Sequence, residues 1–375
     1  MSVFQLTEDQ AMIQGVARDL AQKKIKGYAE AVDKEVRFPT ESMEALAECG
    51  MLGTVIPEEF GGAGLDCLTQ TLVVEETAKV CGSTAAVLAS AQTGIESIVR
   101  FGSAQQKKSL LPQLAESKIA TLAACEGPAH LDPLKLAVKA EAQNGGYVIN
   151  GVKRHVPNAG CSDYYIVVAA TSESGLTAFV VESKTPGVVI GRRDPKMGLQ
   201  AWYTGEVIFE NCTVGADAVL DGIGKGADVI SAAQDSDRLY MAAVAAGLAF
   251  GALKEAIEYV NVRVQFGKRI AQFQNTQYVM AEHMARVSAA EALLWMAAAR
   301  NDAGGGYSNM AAMAKLTCSD AANLALRKCV QAISGFGYTR EYPVERMMRD
   351  GKMTEVFGGS SEMQKDFIAQ CIGVY

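Results

Sequence analysis

The side chains whose types could hold a metal or do nucleophilic or acid–base chemistry are sparse. There are three histidines, His130, His155 and His283, and nine cysteines. Cys125, His130, His155 and Cys161 fall in one stretch of chain, but their spacing matches no ordinary zinc-ligand pattern, so core and loop roles are the expectation. The nine cysteines are widely spread, odd in number and without a CxxC pair, which fits reduced thiols better than a disulfide framework. No P-loop, G-x-S-x-G or H-E-x-x-H occurs. Gly335-Phe336-Gly337 is a lone G-x-G with no strand before it, a weak sign of dinucleotide binding.

The elements that must position any site change character twice along the chain. From Leu6 to about Ser117 the pattern is helical. Thr7 and Gln10 have the spacing of a capping box, and Met43, Leu46, Ala47 and Leu52 recur at helical intervals. Pro57-Glu58-Glu59-Phe60-Gly61-Gly62-Ala63-Gly64 interrupts the helices as a loop. From about Ala120 to Val219 short apolar runs alternate with turn signals. Lys135–Gln143 is followed by Asn144-Gly145-Gly146, and Tyr147–Asn150 by Gly151, read as strand, turn, strand, turn. Tyr164–Val168, Thr177–Val181 and Glu206–Phe209 read as further strands. From Gly226 onward helices return, with Asp235–Val262, Phe273–Asn301 and Asn309–Ile333 as long candidates and Gly304-Gly305-Gly306 as a turn between the last two. The fold class is therefore α+β: residues 1–119 an N-terminal all-α domain, 120–225 a middle β-domain and 226–375 a C-terminal all-α domain.

Composition narrows the partners. The 375 residues carry a net charge of −7, against the basic face that a nucleic-acid binder needs. Leu239–Leu253 is apolar but shorter than the ~20 residues that span a bilayer, so a buried helix is expected rather than membrane insertion. The N-terminus lacks the basic start and apolar core of a signal peptide, and the expected location is cytoplasmic.

Several separated motifs, in order, resemble the acyl-CoA dehydrogenases along nearly the whole chain. The clearest runs from Gly335-Phe336-Gly337-Tyr338-Thr339-Arg340 through Glu341-Tyr342-Pro343-Val344-Glu345-Arg346 to Met347-Met348-Arg349-Asp350. Others are Pro57 to Gly64, Phe101-Gly102-Ser103 with Gln106-Lys107, and Arg263-Val264-Gln265-Phe266-Gly267-Lys268. The resemblance implies an α, β, α domain order with a C-terminal four-helix bundle. It also implies FAD between the β-domain and the C-terminal helices, and a homotetramer. The family removes the α-proton and β-hydride of a CoA thioester and passes electrons to an electron-transfer flavoprotein. That reaction needs hydrogen bonds to the thioester carbonyl, a carboxylate at the α-carbon, and a flavin at the β-carbon.

On the adenine side of the flavin, Arg263, Phe266, Gln331 and Gly335 match family positions that contact a neighbouring subunit's FAD. On the ring side the match weakens. Where the family usually reads T-E-P-x-x-G-S-D, this chain has Cys125-Glu126-Gly127-Pro128-Ala129-His130-Leu131-Asp132. The family's W-I-T-N becomes His155-Val156-Pro157-Asn158, losing an aromatic and a threonine. Cys125, His155, Asn158 and Ser360 are the ring-side candidates. Three lost hydroxyl contacts, at Cys125, Leu131 and Pro157, imply FAD held less firmly than in typical members.

The usual base position, the glutamate of Y-E-G-T, is Gly358 here, in Phe357-Gly358-Gly359-Ser360. Its N–H keeps the second role of that position, polarising the thioester carbonyl. Some members place the glutamate on an earlier helix immediately before an arginine, and in Asp235-Ser236-Asp237-Arg238 that position is Asp237. Asp237 is thus the candidate base, and Arg238 and Asp235 are candidate substrate contacts. The competing reading makes Asp235 and Asp237 first-turn acids favoured by a helix dipole. Two further readings stay open: a non-dehydrogenating acyl-CoA-binding relative, such as a lyase with structural flavin, and a non-catalytic subunit paired with an active paralogue.

Overall fold

A computed structural model describes residues 5–127, 136–171 and 175–374. The N-terminal helices are α1 (Glu8–Leu20), α2 (Ala29–Glu35), α3 (Thr40–Glu48), α4 (Cys67–Ala78), α5 (Gly82–Phe101) and α6 (Ala104–Glu116). Both halves of the Thr7/Gln10 capping box form, and Ser103 with Gln106 repeats the device at α6.

The strands follow: β1 (Ala120–Ala123), β2 (Lys139–Gln143), β3 (Gly146–Pro157), β4 (Tyr164–Thr171), β5 (Gly175–Glu182), β6 (Val188–Arg193), β7 (Thr204–Gly215) and β8 (Val219–Leu220). They make one sheet in the order β6-β7-β3-β2-β4-β5-β8, with β1 parallel to β4. The expected turn at Asn150-Gly151 is instead an irregularity within β3. The register against β7 shifts between Ile149 and Gly151, and Gly151 takes φ +134°. Glycine tolerates that angle, so a turn-like dipeptide here bends a continuous strand rather than ending it. The Asn150 side chain accepts the Asn211 N–H at 2.7 Å, anchoring the bend to β7. β6, with Gly191 inside it, has no clean alternating pattern and no counterpart among the strands expected from sequence.

The C-terminal helices are α7 (Gly226–Val262), α8 (Gln274–Asp302), α9 (Ser308–Ile333), α10 (Gly335–Tyr338), α11 (Val344–Lys352) and α12 (Ser361–Cys371). α7 starts nine residues before the expected Asp235. Asp235 and Asp237 therefore lie inside the helix, and the first-turn dipole reading of them is incorrect. α7 is long and apolar enough to cross a membrane, but 78% of its most apolar window is buried inside the protein.

The two helical regions are separate in sequence and share one core in space. A single apolar cluster takes Leu72, Val73 and Ala85 from α4 and α5, Ala242, Ala245 and Leu248 from α7, and Leu294 and Leu326 from α8 and α9. The alanines of α7 are consumed in this packing within the chain, so their small size is no argument for an interface between copies. The sheet holds a second core around Tyr165, Phe179 and Phe209, and a third joins its other face to α5 and α6 through Ile95, Leu111 and Ile166. Among the described residues no disulfide joins any cysteine, and no cluster of three potential ligands forms a metal site.

Candidate active site

A cavity of about 970 Å³ lies where the strand ends of the sheet meet the helices. Leu122, Ala124 and Cys125 come from β1 and its exit, His155, Val156 and Pro157 from the end of β3. Ser90 and Thr93 share one face of α5, and Ile230, Gln234 and Asp237 share one face of α7 at helical spacing. Residues 356–360, between α11 and α12, close the remaining side.

Two carboxylates line this cavity, Asp194, which faces His155, and Asp237, which is held by α5. The Asp237 Oδ1 accepts the Thr93 hydroxyl at 2.6 Å. Removal from water pushes its carboxyl up to about 6, raised further by the nearby Glu96 and opposed by the Thr93 hydrogen bond and Arg238. A carboxylate that ionises near neutral pH is matched to proton removal. Gly358 is its neighbour: a Cβ built there would lie 3.6 Å from the Asp237 carbonyl oxygen and 3.4 Å from Met241 Cγ. Gly358 adopts φ +70° and Gly359 φ +84°. The Gly358 carbonyl accepts from Gln364 Nε2 at 3.1 Å, while its N–H has no protein acceptor among the described residues.

The structure treats the other candidates unequally. Cys125, His155 and Ser360 line the cavity with Asp237 and Gly358. His155 reaches it because β3 is irregular between Lys153 and Val156, and the residue takes φ +51°. Its Nδ1 lies 2.9 Å from Asp194 Oδ2. The Cys125 Sγ contacts the Gly127 carbonyl at 3.3 Å, and burial pushes its thiol up, so it is a poor nucleophile. Ser360 caps α12, accepting the Met363 N–H at 3.3 Å. Asn158 is fully buried and does not line the cavity, donating to the Val87 carbonyl at 3.2 Å. Asp235 also does not line the cavity: one oxygen takes Arg238 and the other the Ser308 hydroxyl. Arg238 lies in a smaller adjoining pocket with Gln364 and Phe367, its guanidinium carbon 4.4 Å from the Phe367 ring centre. His130, Leu131 and Asp132 lie outside the described residues. Glu362 is exposed on the first turn of α12 and is no rival to Asp237.

Arg263, Phe266, Gln331 and Gly335 are exposed on the surface and do not line the cavity. Arg263 lies 5.9 Å from the Phe336 ring centre, Phe266 is 94% exposed, and a Cβ at Gly335 would meet nothing within 4 Å. No contact within this chain requires glycine at 335.

Residues that sequence reasoning missed include Thr93, Gln234, Arg154, Arg192 and Lys196. Nothing in the Ala/Ser-rich α5 segment marks Thr93, and Arg192 sits in the unforeseen β6. Arg154, Arg192 and Lys196 give the cavity a cationic side, and burial lowers the Lys196 ammonium to about 8. The residues present fit a flavin: the volume is large, the strand-end wall is mostly apolar, and cations stand where phosphates can be met. Cys125 and Pro157 supply no hydroxyl to the ring, so that half of the fit rests on backbone groups.

Comparison with known proteins agrees with this geometry. Residues 7–118, 121–212 and 224–373 match the N-terminal, middle and C-terminal domains of acyl-CoA dehydrogenase. An acryloyl-CoA reductase (NADH) of Anaerotignum propionicum is 36% identical over 98% of this chain and 95% of its own. The butyryl-CoA dehydrogenase of Megasphaera elsdenii superposes with a TM-score of 0.96 at 33% identity, covering 98% of this chain and 99% of its own. A chain from the structure of the electron transferring flavoprotein of Acidaminococcus fermentans superposes with a TM-score of 0.96 at 34% identity, over 99% of both chains. Three consecutive domain matches and nearly full-length relatives lead to one conclusion: this chain belongs to the acyl-CoA dehydrogenase family.

Proposed function

We propose that this chain desaturates a short-chain CoA thioester between its α- and β-carbons, with Asp237 as the base. The observation that carries the reading is Asp237 itself, a cavity carboxylate held by Thr93 beside the glycine that replaces the usual glutamate. FAD is the cofactor and, when bound, supplies the acceptor for the β-hydride. Asp237 takes the α-proton. The Gly358 N–H donates to the thioester carbonyl and stabilises the developing enolate. Arg238, in the adjoining pocket, holds the CoA portion, and Asp235 fixes Arg238 by ion pairing.

Cys125, His155 and Ser360 face the flavin ring in this reading. Arg263, Phe266, Gln331 and Gly335 meet the adenine half of a second copy's FAD in a homotetramer, a reading supported by the almost full exposure of the Phe266 ring, which is poorly explained within one chain. An electron-transfer flavoprotein is the electron partner, supported by likeness to a chain from such a protein's structure. A cytoplasmic location is consistent with these roles. The short acyl chain is supported by the butyryl-CoA and acryloyl-CoA relatives.

The test is the visible spectrum of the purified holoenzyme during anaerobic addition of butyryl-CoA. Bleaching of the flavin is expected, with colour restored by electron-transfer flavoprotein. Product without bleaching would instead indicate a lyase, and inert protein a subunit that needs a paralogue.

A further inference from the structure

Two buried side chains outside the cavity hold the turn that carries Gly358. Lys315 on α9 is completely buried, and its ammonium donates to the Gly359 carbonyl at 2.5 Å. Gln364 on α12 is 1% exposed. Its Nε2 donates to the Gly358 and Gly359 carbonyls at 3.1 and 3.0 Å, and its Oε1 accepts from Arg238 Nε at 2.9 Å. On the other side of the turn, the Phe357 N–H donates to the Met353 carbonyl at 2.9 Å, and its ring meets Trp202 edge-on at 4.7 Å.

Two adjacent glycines have the widest conformational freedom a chain offers, and both here occupy the left-handed region. Without anchors, the direction of the Gly358 N–H would vary. A fully buried ammonium is an expensive way to satisfy one carbonyl, since an apolar side chain of like volume is often as stabilising. Placing one here makes sense if the direction of the turn matters more than the stability gained.

We propose that Lys315 and Gln364 are positioning residues for catalysis: they fix the Gly358–Gly359 turn so that the Gly358 N–H points at the thioester carbonyl. Gln364 also ties the turn to Arg238, the residue after the base on α7. This rests on the dehydrogenase reading above.

The test uses the FAD-loaded enzyme and crotonyl-CoA labelled with ¹³C at its carbonyl. In wild type, the infrared carbonyl band of the bound thioester should fall in frequency relative to solution. In Lys315→Met and in Gln364→Met most of that fall should vanish. Single-turnover flavin reduction by butyryl-CoA should slow about 10- to 100-fold, somewhat less than deletion of a direct oxyanion donor. Crotonyl-CoA affinity should fall by less than the reduction rate does, since the hydrogen bond to the carbonyl is stronger in the enolate-like transition state than in the bound thioester. Flavin content and melting temperature establish that each variant is folded, and if Lys315→Met fails to fold, Gln364→Met decides alone. An unaltered carbonyl band and reduction rate in a folded variant overturns the proposal and leaves the dehydrogenase reading standing. A wild-type protein that binds no crotonyl-CoA, or leaves its carbonyl band unmoved, overturns both.

Discussion

The Thr93 hydroxyl donates to Asp237 Oδ1 across 2.6 Å, joining α5 of the N-terminal region to α7 of the C-terminal region at the wall of the cavity. The hydrogen bond favours the ionised carboxylate while burial favours the protonated one, and the balance leaves it near 6. Replacing Asp237 with Asn keeps the shape and removes the base. Flavin reduction by a turned-over thioester should fall at least about a hundredfold, the usual scale for a general base, with FAD and thioester still bound. Stopped-flow single turnover measures it, and an unchanged rate would remove Asp237 from the mechanism.

The pH dependence has a definite sign. Proton removal needs Asp237 ionised, so the reduction rate in wild type should climb as pH rises through about 6 and level off above it. Stability should move the other way. The folded carboxyl lies above its ordinary value of 3.8, so the folded state holds the proton longer, and Asp237's contribution declines as pH rises from about 4 to 6. Melting curves of wild type and Asp237→Asn across that range should diverge in favour of the Asn variant.

Asp235 predicts a different phenotype from a helix-dipole acid. It is buried and holds Arg238 and the Ser308 hydroxyl. Asp235→Asn should destabilise the fold by about 1.5–3 kcal/mol, the scale of a hydrogen bond to a charged group. Releasing Arg238 should also weaken CoA-thioester binding. Calorimetric binding and chemical denaturation would separate the two effects, and a loss of only a few tenths of a kcal/mol would return Asp235 to a minor role.

Gly358 sits at φ +70°. Ala at this position should cost about 1–2 kcal/mol of stability, the penalty of left-handed backbone for an L residue, because the added Cβ itself meets only ordinary contacts. The same penalty should keep Gly358→Glu from restoring wild-type flavin reduction to Asp237→Asn. Urea unfolding tests the first statement and single turnover the second.

Arg263 lies far from any acyl chemistry if it serves a neighbour's cofactor. Arg263→Ala should release FAD about tenfold or more readily, the worth of a charge-assisted hydrogen bond, while thioester binding by the retained holoenzyme is unchanged. Dialysis with fluorescence detection of free flavin measures this. Light scattering should give a tetramer for wild type.

The order of helical, β and helical segments was legible in sequence because it rests on local signals. Helical spacing, turn dipeptides and contiguous motifs are carried by neighbouring residues, and the Thr7 capping box formed as its spacing required. Asp237 was also legible, through its place directly before Arg238. Its partner Thr93 was not: 144 positions separate the two, and only the packing of α5 against α7 brings them together. The same holds for Lys315 and Gln364, which meet Gly359 from two different helices.

By itself, then, the sequence determined the succession of helices, strands and helices, the missing side chain at Gly358 and the acid at 237. Tertiary structure alone decided that the two helical regions share one core, that Asp237 lines the cavity while Asp235 is buried, and that Asn158 and Asp235 do not line it. The physical reason is that burial and charge balance are properties of an environment. Asp237 titrates near 6 because segments far apart in the chain exclude water from it, and no local pattern records which segments those are.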